Sequence, residues 1–451
     1  MNRLTTRVAI IGGGPAGSLL AILLARRDLH PVVIERSPQF SAAASGGRSI
    51  NLALAARGIE ALREAGLDQD VDKLMIPMRG RMLHDLQGKQ RFLAYGQRTG
   101  EQIYSISRAA LNTLLYRLAA ERYGVEYRFG HRCIGIDAAT GEPLVRSASG
   151  TVPLQADVVF AADGAGSDVR RALVNAGAIE ATEELLDHGY RELTIPATGA
   201  EQGFVFERKA LHIWPRGGFM LIALPNPDRS FTATLFLAHR GDPSFTSIGP
   251  DSVETFFRRE FPDALTYMPS LATDYRNHPT GALGSVYCRP WSFRKRILMI
   301  GDAAHAIVPF HGQGMNAAFE DCIEVDRLLA EQDRSGSYDW GTLFAQFEQR
   351  RAPNTRAIAE MAIENYQEMR DEVRDAKFQL RADLSFELER RFPERFIPRY
   401  SMVMFHPEIP YAEAQRRGAI QARMLKQLTE RTGTVAEVDF ALAARLIAAE
   451  L

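Results

Sequence analysis

Apolar runs and alternating stretches divide the chain before any single residue is weighed. Val8 to Ile11 is an unbroken apolar run that stops in glycines, which predicts a buried strand. Ser18 to Arg27 follows with leucine and alanine at helical spacing, and Pro31 to Glu35 reads as a second strand. Strand, glycine turn, helix and strand in this order form the βαβ unit of a dinucleotide-binding fold. Residues 109 to 122 again have helical spacing, and Val158 to Ala161 predicts a buried strand that ends in Asp163-Gly164. From about Tyr190 the texture changes. Ala210–Trp214, Phe219–Leu224 and Ser230–Leu237 alternate or run apolar between turn formers, which predicts an antiparallel sheet. Arg296 to Ile300 returns to a buried strand. From about Gln313 the pattern is helical to the end, with interruptions expected at Pro353, Pro393, Pro398, Pro407 and Pro410.

Composition changes this picture little. The 451 residues are enough for two or three domains. A net charge of −1, from 54 basic and 55 acidic side chains, gives no bulk attraction to nucleic acid or to an anionic membrane. Three scattered cysteines (Cys133, Cys288 and Cys322) argue against a disulfide framework and against a metal site. No run reaches the roughly 18 apolar residues of a membrane helix, and the first apolar run stops too early for a signal peptide. A cytoplasmic protein without a membrane anchor is expected.

Candidate chemistry begins at Gly12-Gly13-Gly14-Pro15-Ala16-Gly17. Gly12 suits the tight turn, Gly14 lets backbone approach a pyrophosphate, and Gly17 lets helix and strand pack closely. The helix start, including Ala16, offers N–H groups to the phosphates. Glu35, followed by Arg36, lies about 20 residues on, where an acid binds a ribose diol. This motif alone does not separate FAD from NAD. Two later strand ends favour FAD. Asp163-Gly164 is followed by Gly166-Ser167 and Arg170, while Gly301-Asp302 leads through Pro309 to Gly312-Gln313-Gly314. Asp302 is expected on the ribityl chain, with Gly314, Met315 and Asn316 at the pyrimidine edge of the flavin.

Gly12, Gly14, Gly17 and Glu35, then Asp163 and Gly164, then Gly301 and Asp302 together resemble the three motifs of the class A flavoprotein aromatic hydroxylases. By the same resemblance Arg48 and Arg108 are expected to contact FAD. Within that family the likeness is greatest to the kynurenine 3-monooxygenase group. It is carried by residues 47–54, by His212-Ile213-Trp214-Pro215-Arg216, by Ser230-Phe231-Thr232 and by Val308 through Asn316. It extends to Asn365-Tyr366 and to Phe396-Ile397-Pro398-Arg399-Tyr400.

The resemblance implies hydroxylation of L-kynurenine to 3-hydroxykynurenine, dependent on FAD, NADPH and molecular oxygen, by way of a flavin C4a-hydroperoxide. It implies that the amino acid end of the substrate is held by Arg81, Tyr95, Asn365 and Tyr400, with Arg79 as the alternative to Arg81. Leu211, Met220, Ile222, Leu224, Thr234 and Phe236, with Phe310 and His311, are candidates for the aromatic pocket wall. His311 is expected to position rather than to transfer a proton, and His305 is expected to be structural. A sister hydroxylase acting on a substituted kynurenine or another aromatic amino acid, or a non-catalytic flavoprotein of the same fold, is the alternative. No second glycine fingerprint marks an NADPH domain, and a homodimer stays open.

The expected fold class is α/β. A Rossmann-like FAD-binding domain spans 1–180 and 285–330, with part of 50–110 given to the substrate domain. An inserted antiparallel-sheet substrate domain covers 181–284, and a helical region covers 331–451.

Overall fold

The computed structural model describes residues 6–39, 51–137, 140–198, 203–333, 337–371 and 376–451. The chain falls into two compact units. The first holds residues 1–75, 106–185 and 284–359, and the second 76–105, 186–283 and 360–451. Residues 331–451, expected as one helical region, are thus divided between them at 359.

The first unit is built on a six-stranded sheet. Its order is Ser292–Phe293, Ile297–Met299, Val158–Ala161, Val8–Ile11, Val32–Glu35, Glu126–Phe129. All neighbours are parallel except the first pair. Parallel strands are covered on both faces, so Val8 to Ile11 can be apolar without alternation, and all four residues are buried. Helix Pro15–Ala25 follows at once, with proline in its first turn, where the missing N–H removes no helical bond. Its sequence is apolar on every side, and Gly17 to Leu24 are all buried. The helix expected over 109–122 is observed as Arg108–Arg117, capped by Ser107 and closed by a π-helical turn over Leu118–Arg122.

The expected break at Pro353 is absent, because Pro353 lies inside helix Trp340–Asp371. A helical proline loses one N–H donor. The Asn354 side chain donates to the Arg350 carbonyl at 2.9 Å, satisfying one acceptor beside the gap.

A mixed sheet carries the second unit. From Gly281–Arg289 it passes through Glu180–Ile195, Phe231–Ala238, Met220–Pro225, Ala210–Pro215 and Gly80–His84 to the edge strand Gln90–Ala94. From Glu180–Ile195 to Gln90–Ala94 the neighbours are antiparallel except Ala210–Pro215 and Gly80–His84, which run parallel. Side chains alternate along a strand and paired residues share a face, so the register sorts the sheet into two sides. One side, with Leu193, Trp214, Leu221, Ala233 and Leu235, packs on Phe256, Phe257 and Phe261 as a closed core. The other carries Arg81 and Leu93, Leu211 and Ile213, Met220, Ile222 and Leu224, then Thr234 and Phe236. All six sheet residues expected as pocket wall lie on this second side.

Four helices end the second unit: Ala376–Arg391, Arg399–Phe405, Tyr411–Thr429 and Phe440–Glu450. The first, third and fourth share a core that includes Leu384, Leu388, Met424 and Ile447, with Phe396 from the link between the first two helices. Among the described residues no helix is long and apolar enough to cross a membrane.

Candidate functional site

The glycine turn of the first unit has the geometry its chemistry requires. Gly12 has φ +103°, and a Cβ there would come within 2.5 Å of the Ala162 carbonyl oxygen. A Cβ on Gly17 would fall on the Gly12 carbonyl oxygen. Gly14 faces open space, with nothing within 4 Å of an added Cβ. The three glycines therefore divide the work as turn, open face and helix–strand contact. Glu35 closes the loop: its carboxylate accepts from the backbone N–H groups of Gly13 and Ser37, each at 2.8 Å. Each oxygen still has lone-pair capacity for a hydroxyl.

These residues border a cleft of about 350 Å³, within the range of small-molecule sites. Of the residues expected at the cofactor and its motifs, Gly12, Gly14, Glu35, Arg36, Arg108, Asp163 and Gly164 line it. Arg48 lies outside the described residues. Asn112, His131, Arg132 and Cys133 also line it and had no local signature in the sequence. Asn112 Oδ1 is buried and has no hydrogen-bond partner among the described residues, so it offers the cleft an unused acceptor. Burial pushes the Cys133 thiol up to about 12, which keeps it protonated and inert.

Asp163 also secures the helix that follows it. Its carboxylate accepts from Ser167 Oγ at 2.6 Å and from the backbone N–H groups of Asp168 at 2.8 Å and Val169 at 3.2 Å. Both oxygens thus secure the start of helix Asp168–Asn175. Burial raises its pKa, and these hydrogen bonds oppose the rise.

The third motif folds around a different carboxylate. Asp321 accepts from the Gly301 N–H at 2.8 Å, approaches His305 Nε2 at 2.6 Å and accepts from Arg351 Nε at 2.7 Å. Burial alone would raise its pKa, but His305 and Arg351 bring it below the usual carboxylate value. His305 is therefore bound into this buried network through its Nε2. Asp302 is free of that network, and a Cβ on Gly314 would stand 3.9 Å from its Oδ1. The acid expected on the ribityl chain and the start of helix Gly314–Gln332 are thus neighbours.

Asn316, expected at the cofactor, has its side chain engaged elsewhere. Its Oδ1 accepts from Ala55 N–H at 2.9 Å, while its Nδ2 donates to the carbonyls of Ala53 at 2.9 Å and Gly312 at 2.8 Å. It ties the 312 loop to the strand Asn51–Leu54. Phe310 and His311 form the short 3-10 turn before Gly312, and both are buried. Met315 sits half-buried in the first turn of helix Gly314–Gln332.

The second unit gathers the other expected group. Arg81 projects from strand Gly80–His84, Tyr95 follows strand Gln90–Ala94, and Tyr400 is in helix Arg399–Phe405. The tyrosine rings stack at 5.6 Å and 13°. The Arg81 guanidinium carbon lies 4.8 Å from the Tyr400 ring centre and 5.6 Å from that of Tyr95. Arg81 Nε and the Tyr95 hydroxyl are buried, with no partner in hydrogen-bonding geometry among the described residues. Burial disfavours the charge on Arg81, but Tyr400, Tyr95 and Glu368 outweigh it and the guanidinium pKa is raised. Burial also raises the pKa of both tyrosines, so each keeps its proton. Asn365 is buried nearby in sequence to Glu368, on the long helix, and its Nδ2 approaches Met369 Sδ at 3.4 Å. The alternative Arg79 is exposed at the strand entrance.

Comparison with known proteins gives three findings. The model of the FAD binding domain family matches residues 5–362. Kynurenine 3-monooxygenase of Stenotrophomonas maltophilia (strain K279a) is 46% identical over 450 residues, covering 98% of this chain and 97% of the relative. The enzyme of that name from Dictyostelium discoideum is 40% identical over 451 residues, covering 98% and 97%. Among solved structures, a tetrameric form of 2-methyl-3-hydroxypyridine-5-carboxylic acid oxygenase superposes with a TM-score of 0.67. It is 21% identical and covers 82% of this chain and 94% of its own, a likeness of fold.

Proposed function

The chain belongs to the kynurenine 3-monooxygenase family, and on that premise we propose that its second unit holds the amino acid end of L-kynurenine on Arg81, Tyr95, Tyr400 and Asn365. The protein is an FAD-dependent monooxygenase that hydroxylates kynurenine. With NADPH as reductant, the reaction takes kynurenine, NADPH, a proton and O2 to 3-hydroxykynurenine, NADP⁺ and water. When bound, FAD supplies the reductive activation of oxygen and the transfer of one oxygen atom.

The observation that carries the proposal is Arg81, buried beside two stacked tyrosine rings, 4.8 Å from one ring centre and 5.6 Å from the other, with an Nε in no hydrogen bond among the described residues. A guanidinium binds a carboxylate through two parallel N–H donors. The Tyr95 hydroxyl, kept protonated by burial, adds a third donor to the same anion. The chain's own work is therefore positional: it fixes one end of the substrate and so the ring at the other end. Leu211, Ile222, Leu224 and Phe236, on the sheet side that bears Arg81, supply an apolar wall for that ring. Phe310 and His311 are assigned to the flavin-side wall.

In the first unit the fit to FAD rests on open Gly14, Glu35 at the second strand end, Asp302 beside Gly314 and the unused Asn112 acceptor. Gly12, Ala16 and Gly17 shape the pyrophosphate turn, and Arg36 and Arg108 supply positive charge at the cleft. The three cysteines are free, in keeping with a reducing cytoplasm.

Purified protein, assayed for bound flavin and for NADPH oxidation with and without L-kynurenine, tests the reading. Kynurenine-stimulated oxidation with 3-hydroxykynurenine as product is expected. Arg81→Ala should raise the apparent KM by about 100-fold, the scale of losing a charge-assisted pair. An unchanged KM removes the carboxylate role.

A further inference from the structure

Tyr95 and Tyr400 reach Arg81 from separate parts of the chain, so something must keep them in register. Tyr95 leads straight into the loop 96–101. That loop is tight: Arg98 N–H donates to Glu101 Oε2 at 2.9 Å, Glu101 N–H donates to the Arg98 carbonyl at 3.1 Å, and Gly100 has φ +94°. Tyr400 is the second residue of helix Arg399–Phe405, which follows helix Ala376–Arg391 after a short link.

One buried carboxylate joins the two. Glu389, in the last turn of helix Ala376–Arg391, is 2% exposed. Its Oε2 accepts from Gln97 Nε2 at 3.0 Å, and the same amide donates to the Phe386 carbonyl at 2.8 Å. Its Oε1 has Arg98 Nη2 at 3.5 Å, beyond good hydrogen-bonding geometry, while that nitrogen donates to the Pro393 carbonyl at 3.2 Å. Both residues after the Tyr95–Gly96 pair are thus fastened to the end of the helix that precedes Tyr400. A surface pairing needs no buried carboxylate. Burying one is costly unless its bonds fix something, and burial does push the Glu389 pKa up against Gln97, Arg98 and His406, with Glu101 adding to the rise.

We propose that Glu389 is a positioning residue for substrate binding, clamping the Tyr95 loop to the Tyr400 helix so that both rings stay stacked on Arg81. The proposal rests on the reading of Arg81, Tyr95 and Tyr400 as the carboxylate site. Its sequence neighbours gave no hint, since Glu389 lies in the charged run Glu387-Leu388-Glu389-Arg390-Arg391, which reads as a solvated helix end.

Steady-state kinetics on flavin-loaded enzyme test it. Glu389→Ala should raise KM for L-kynurenine by about fivefold to tenfold, the scale of one or two net hydrogen bonds, with kcat within about twofold. Glu389→Gln, whose amide oxygen still accepts from Gln97, should recover most of the loss. In an Arg81→Ala background, Glu389→Ala should add almost nothing, because the positioned target is gone. An unchanged KM in Glu389→Ala beside a raised KM in Arg81→Ala overturns the clamp alone. A full, additive loss in the double variant overturns it too, as general destabilisation. An unchanged KM in Arg81→Ala removes the carboxylate site beneath it. If Glu389→Ala fails to load flavin, Gln97→Ala carries the same comparison from the exposed side of the clamp.

Discussion

Arg81 shows how much a single side chain owes to its surroundings. Two arginines two residues apart, Arg79 and Arg81, are equivalent in strand parity, and the sequence left the choice open. The structure separates them: Arg79 is exposed, while Arg81 is covered by two aromatic faces contributed from residues 95 and 400. Partners so distant leave no trace at the arginine itself. Each tyrosine hydroxyl stays protonated, so each is a donor throughout neutral pH. Tyr95→Phe keeps the stacked ring and removes only the hydroxyl. It should raise KM by about threefold to tenfold with kcat little changed, measured by the same NADPH-oxidation assay. A kcat loss without a KM change would place Tyr95 elsewhere in the cycle.

At the scale of elements, the first βαβ unit was legible because its signals are local. Four apolar residues, three glycines at fixed offsets and an acid at the next strand end lie within 28 residues, Val8 to Glu35. The glycines give a matched pair of predictions. Gly14→Ala adds a methyl group to open space, so the thermal midpoint of the flavin-free protein should hold while flavin content falls. Gly17→Ala drives a methyl onto the Gly12 carbonyl, so the midpoint itself should fall, by about 5 °C or more. Equal midpoints for the two variants would contradict this division of roles. Other elements were not legible. Asn112, His131 and Arg132 reach the cleft from a helix, an interstrand link and a strand start whose sequence carries no motif. Asn316 occupies a motif position, yet its amide is taken by Ala53, Ala55 and Gly312. Pro353 marks a break in any local reading, but the helix continues through it.

At the scale of the whole molecule, stability should depend on pH through a buried network on the core side of the sheet. His84 Nδ1 lies 2.7 Å from Asp263 Oδ2, and His84 Nε2 lies 2.9 Å from His212 Nδ1. His212 also approaches the Glu207 carbonyl at 2.8 Å. Burial, chiefly, takes the His212 pKa down to about 4. Between about pH 6.5 and that value the unfolded chain binds a proton that the folded one does not, so stability rises with pH across this window. The loss on acidification should approach about 3 kcal/mol for this residue. Thermal midpoints recorded from pH 7 to pH 4.5 should decline, and His212→Gln should flatten the decline. An identical slope in the variant would assign the acid sensitivity to other groups. The division of the chain into two units was partly visible as a change of texture near Tyr190. Part of 50–110 was read as joining the second unit, but the placing of the helices of 360–451 with that unit was not, because no composition shift marks the boundary.

The two-sided sheet has a consequence for how this protein can change. On strands Ala210–Pro215, Met220–Pro225 and Phe231–Ala238 the even-numbered and odd-numbered positions answer to different demands. Positions 221, 233 and 235 are committed to a shared interior with the phenylalanines at 256, 257 and 261. Positions 211, 222, 224, 234 and 236 are not part of that interior. A library confined to those five can therefore drift in size and polarity, and with them the range of aromatic rings accepted, while the fold is inherited intact from the alternate residues between them.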